Sequence, residues 1–145
     1  MTDATADLTL LDDLVLRADE AFRGVFERVF AGDPAANAQL DVEAVEPAVV
    51  DGVPTLVMVT PWAMSGLVFP AAEGPVELVI AAVPRRAVRG DVAPLGPYWS
   101  VGLVPDVSRL TSADQARRLA ASFAEPFREA VRQWLRALTD RRLTG

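Results

Sequence analysis

Between Leu10 and Phe30 the apolar residues recur at three- and four-residue steps. Leu14, Ala18, Ala21, Phe22, Val25, Phe26, Val29 and Phe30 fall on one stripe, which predicts an amphipathic helix. Asp7 or Thr9 is placed to cap its start, and residues 1–9 are expected to fray. Gly32, Asp33 and Pro34 end it, because glycine accepts a left-handed turn and proline cannot extend the ladder. From Leu40 to Val104 the pattern changes to strands. Val42, Val45, Val49 and Val50 lead into Asp51-Gly52, a tight-hairpin dipeptide, and Thr55–Thr60 returns. Pro61 interrupts, and a third strand is expected around Met64–Phe69. Val76–Val83 is apolar without a clear period and fits a strand or a helical turn. Arg86–Val92 reads as an edge strand, and Tyr98–Val104 as the last strand, entered through Gly96-Pro97.

Ser112 and Gln115 form a capping box ahead of a second stripe. Ala116, Leu119, Ala120, Phe123, Phe127, Ala130, Val131, Trp134 and Leu138 carry it, with Pro126 inside, where it must kink or split the helix. Short links between strands favour antiparallel pairing over βαβ crossovers. The expected architecture is α+β: a meander of about five antiparallel strands flanked by an N-terminal and a C-terminal helix, both covering one sheet face. Phe123, on the second stripe, is expected in the core.

The 145 residues suit a single domain spanning 1–145. About half of them are apolar, enough for a real core. Cysteine and histidine are absent, which removes disulfides, Cys/His zinc sites, thiol nucleophiles and Ser-His-Asp triads. No D-x-D-x-D-G-like loop offers a carboxylate metal site, so neither metal nor cofactor is expected. No apolar run reaches the length of a membrane span, and the acidic N-terminus is unlike a signal peptide, which points to the cytoplasm. All 14 basic residues are arginine. Residues 1–51 carry 12 acidic and 3 basic side chains, whereas residues 109–145 carry 4 and 8. The net charge of −6 disfavours nucleic acid, which requires a basic face. It tolerates a basic partner peptide; the alternative is that the acidic and basic ends lie side by side in the fold.

No catalytic constellation stands out. Asp12-Asp13 and Asp19-Glu20 sit on the polar side of an amphipathic helix and read as a solvated face. Ser65-Gly66 lacks the G-x-S-x-G frame of a nucleophile elbow. Trp62, beside Pro61 and ahead of Met64 and Gly66, is either a surface anchor for a partner or a plug at the end of the core. Tyr98 and Trp99 are adjacent on a strand, so their side chains point to opposite faces, and the register is open.

The segment V-T-P-W-A-M-S-G-L-V-F-P, Val59–Pro70, resembles the signature of the HybE/HupJ family of [NiFe]-hydrogenase assembly chaperones. Thr60, Pro61, Trp62, Met64, Phe69 and Pro70 stand at the matching places. G-P-Y at Gly96-Pro97-Tyr98, the A-D-Q-A-x-R helix start at Ala113–Arg117 and the Ala21-Phe22 pair follow the same family order. The resemblance spans roughly residues 15–125. It departs where the family has Cys-Ser and an S-P-M-like stretch, since this chain reads Val101-Gly102-Leu103-Val104-Pro105-Asp106. It implies a non-catalytic protein that holds a hydrogenase subunit during maturation, either the small subunit or its signal peptide, or the large subunit. Pro61 and Gly66 are poor choices for a stretch that only stabilises a sheet. Trp62, Met64 and Phe69 are therefore expected to present the partner-binding patch, with Tyr98 or Trp99 joining from the last strand. The alternative is a small-ligand domain or enzyme with a carboxylate and arginine pocket.

Overall fold

Described by the computed structural model are residues 4–70 and 73–144. Helix α1 spans Ala4–Val25 and runs into a π-helical turn, Phe26–Phe30, closed by the Ala31 N–H donating to the Phe26 carbonyl at 2.7 Å. The helix starts ahead of Leu10, so Asp7 and Thr9 lie inside it and do not cap it. The expected fraying falls partly on residues 1–3, outside the described residues.

Six strands follow: β1 (Glu43–Val50), β2 (Val53–Val59), β3 (Met64–Val68), β4 (Glu77–Ile80), β5 (Val83–Val92) and β6 (Gly96–Val104). Helix α2, Ala113–Thr144, closes the chain. The Asp51-Gly52 hairpin is present, with both residues at positive φ. Val76–Val83, which left strand and helical turn open, holds strand β4 and a two-residue turn, Ala81-Ala82, also at positive φ. The α+β class with an antiparallel sheet between two helices holds, with six strands where about five were expected.

The sheet order is β1-β2-β3-β6-β5-β4, every pair antiparallel. Two three-stranded meanders therefore join at β3–β6. The edge on that side is β4, whereas β5, expected at the edge, has a neighbour on each side.

The two helices do not share a face. Val57 and Val59 of β2 belong to the α2 core, with Phe127, Ala130 and Val131. Leu56 and Met58, pointing the other way, join Leu14, Ala18 and Ala21 of α1. This corrects the single-face expectation, and the reason was written in β2. Thr55–Val59 is buried throughout without alternation, the pattern of a strand covered on both sides.

Asp19 accepts the Ala44 N–H at 2.7 Å and Arg23 donates to the Val42 carbonyl at 3.1 Å, which docks α1 on β1. The Ser112 Oγ accepts the Gln115 N–H at 3.1 Å, so the capping box forms at the start of α2. The Gln115 side chain reaches one residue further back than the motif requires, to the Thr111 N–H at 2.7 Å. Helix α2 runs unbroken through Pro126, so the helix is not split.

Candidate functional site

The β2–β3 bend is built by Thr60. Its Oγ1 donates to the Ala63 carbonyl at 2.7 Å and accepts the Ala63 N–H at 3.0 Å. Pro61 is therefore not a missing rung of the ladder. It belongs to the turn, and its carbonyl accepts the Asn37 N–H at 2.7 Å. At the tip the Trp62 indole is half-buried. It stacks on Phe30 at 4.2 Å and 8°, with Phe26 parallel behind at 6.3 Å and 4°. Phe26 and Phe30 are four residues apart, so the last helical turn presents both rings on one side, toward the indole.

Tyr98 lies on the same side of the sheet. Its ring crosses Gly90 on the neighbouring strand, where a Cβ would collide with it, and meets Phe22 at 5.8 Å. Between Trp62, Phe22 and Tyr98 a cleft of about 180 Å³ opens over a floor formed in part by Ser65, Leu67 and Ser100. Beyond it α1 no longer covers the sheet: Gly102 is exposed with nothing near its missing Cβ, and Val88 is 59% exposed. Burial, and then the Asp91 carboxylate, push the Tyr98 phenol above its ordinary value.

The expected patch is divided by the sheet. Trp62, Phe69 and Tyr98 pack on the α1 side. Met64 and Trp99 belong to the α2 side. Met64 is 0% exposed, so it does not face outward, and Trp99 is packed against Gly74. The pleat decides this: Met64 pairs with Val59 and Val104, both on the α2 side. Gly66, read above as a weak packing position, has the opposite role. A Cβ there would stand 2.7 Å from the Phe127 ring, so the glycine lets α2 approach β3. Phe127 is the fully buried phenylalanine of α2, whereas Phe123 is half-buried with the Arg85 guanidinium 5.7 Å from its ring centre.

Phe22, Phe26 and Phe30 complete the site, although helical periodicity assigns them only to a core stripe. Their i, i+4, i+8 spacing ahead of a T-P-W segment was the available signal.

A second cleft, of about 560 Å³, lies between α1 and Ala93-Pro94 and carries Asp19, Glu20, Arg23 and Glu27. Burial raises the Asp19 carboxyl above its usual range, with the Ala44 N–H opposing. Asp19 and Arg23 already hold α1 to β1, so their polar atoms serve the fold. No group of three acidic residues is arranged to hold a metal ion among the described residues. No helix is long and apolar enough to cross a membrane among them either.

A family model described as "[NiFe]-hydrogenase assembly, chaperone, HybE" matches residues 13–143. No curated protein and no solved structure matches the chain.

Proposed function

The chain belongs to the HybE family of [NiFe]-hydrogenase assembly chaperones, and from that premise we propose that it binds one hydrogenase subunit through the aromatic cleft at the T-P-W bend. The observation that carries this proposal is the Trp62 stack. An indole held by two phenyl rings at a bend, beside an uncovered stretch of sheet, is a preorganised apolar anchor. Trp62 and Tyr98 make the walls, and Phe69 lies on the same side of the sheet, outside the cleft lining. Ser65 and Ser100 offer hydroxyls to the main chain of a bound segment.

The client is the small subunit, or its signal peptide, or the large subunit. Holding it before assembly places the protein in the cytoplasm, and binding and release require no bond-making by the chaperone. In this arrangement Met64, fully buried in the α2-side core, and Trp99, on the α2 side of the sheet, lie away from the cleft.

The test pairs stability with capture. Trp62→Ala removes the indole from a half-buried bend and leaves both helix-sheet cores in place. Thermal unfolding should shift modestly, while affinity for a purified precursor subunit falls by about 2 kcal/mol or more, the scale of an interface hot spot. A folded Trp62→Ala protein that captures both subunits normally rejects the cleft.

A further inference from the structure

The sheet has two edges, and they are treated differently. At the β1 edge the register shifts between Val45 and Ala48, Glu46 has φ 53°, Pro47 lacks an amide hydrogen, and Arg128 donates to the Glu46 carbonyl at 3.2 Å. Bulge, proline and a side chain on the backbone are means of blocking further strand pairing. At the β4 edge none of these occurs. The register from Glu77↔Arg86 to Ile80↔Val83 is continuous, and Glu77–Ile80 contains no proline. Apolar side chains are exposed there too: Val76 at 77% and Val79 at 48%.

The two-residue turn Ala81-Ala82 fixes which backbone groups are used. In such a hairpin the residues next to the turn bond each other, so Ile80 and Leu78 face β5 and Val79 and Glu77 face outward. The Ala87 N–H donating to the Val76 carbonyl at 2.9 Å keeps the same phase. Alongside these outward groups, between β4 and the C-terminal half of α2, runs a groove of about 420 Å³. Val76, Leu78, Ala130, Trp134, Ala137 and Leu138 line it.

An open edge beside a helix-walled apolar groove has the geometry of strand addition, in which main-chain bonds give affinity and alternate side chains enter the groove. We infer that β4 docks an extended segment of a partner protein. Its alternate residues are apolar, and a basic residue lies beside Glu73 and Glu77, which outnumber Arg141 in the groove lining and form no ion pair among the described residues. A second copy of this chain fits less well. The groove-side residues of its β4, Leu78 and Ile80, are already buried under its own α2 and bring nothing to fill the space. The inference is independent of the Trp62 cleft and of which protein supplies the segment.

The probe is a short synthetic peptide of alternating valine and threonine with a C-terminal lysine amide, since an antiparallel segment ends beside Glu77. On titration by NMR, the Glu77 and Val79 amides and the Trp134 indole should shift. Val79→Pro removes an outward amide without touching the β4–β5 ladder and should weaken binding by about tenfold, the upper range for one hydrogen bond, whereas Val79→Thr should bind normally. Ala137→Trp fills the groove from the helix side, and it decides the matter if Val79→Pro fails to fold. Absent shifts on β4, or normal binding by both Val79→Pro and Ala137→Trp, overturn the inference. So does concentration-dependent dimerisation that Val79→Pro abolishes, which would assign the edge to a second copy.

Discussion

Gly66 lies directly beneath Phe127, and the missing Cβ is what allows a fully buried phenyl ring so close to β3. Replacing a glycine by alanine ordinarily helps a fold by restricting the unfolded chain, by about 0.4–1 kcal/mol. Here a contact of 2.7 Å would oppose it. Overpacking of this kind costs about 1–3 kcal/mol, so Gly66→Ala should be destabilised in urea unfolding, and an unchanged midpoint would remove Phe127 from the argument. Tyr98 admits an equally direct check, because it is the chain's one tyrosine. Its folded value is raised above 10.0, so the native state retains the phenolic proton longer than the unfolded chain. Stability is then undiminished below the ordinary value and declines as pH climbs from there through the raised one. A near-ultraviolet titration of the native protein should give a midpoint above 10.0, and a midpoint at or below it would show a freely solvated ring.

At the scale of elements, α2 carries the larger core while bearing a proline inside it. Pro126 leaves the Ser122 carbonyl without its helical donor and crowds the preceding turn. The helix continues because Phe127, Ala130 and Val131 are buried against the sheet on the C-terminal side, and Ala116, Ala120 and Ala124 on the N-terminal side. Packing thus overrides the local penalty. Pro126→Ala restores the donor at a half-buried position and should raise stability by about 1–3 kcal/mol, read as a higher thermal midpoint. A lower midpoint would mean that the proline ring itself is needed in the packing. The end of α1 works in the reverse sense. None of the π-turn residues is fully buried; Phe30 stacks on Trp62, and Phe26 packs both parallel to Trp62 and against the α1-side core. The element that shapes the cleft depends on the residue it presents.

Over the whole molecule the charge asymmetry resolves into contact. Glu43 and Glu46 on β1 meet Arg117 and Arg128 on α2, at 2.8 Å and 4.0 Å, so the acidic first third and the basic last third do lie partly side by side. Pairs this exposed contribute roughly 0–1 kcal/mol each and serve alignment more than stability. The two faces of the sheet divide the work. One is closed by α2 along its length, and the other is closed by α1 only as far as Phe22 and Trp62, where the cleft begins.

The helices, the hairpin turn at Asp51-Gly52, the capping box and the T-P-W segment were legible because each is a local event, set by periodicity or by a single backbone preference over a few residues; the turn expected at Gly96-Pro97 falls instead on residues 93–95, since Gly96 and Pro97 pair with Val92 and Asp91 inside β6. The family resemblance was legible for the same reason, as short motifs in fixed order. Pairing of β3 with β6, and the placing of α1 and α2 on opposite faces, join residues far apart in sequence, and no local pattern ranks one distant partner above another. Only the β2 run, apolar on both faces, hinted that two helices would sandwich it. The same limit divided the candidate patch. Trp62 and Met64 are two residues apart, yet only the register with Val59 and Val104 sends Met64 under α2 and leaves Trp62 beside the phenylalanines of α1. The sequence by itself determined which residues were available for binding; the pairing of strands, a non-local choice fixed by burial on two faces at once, decided which of them share a surface.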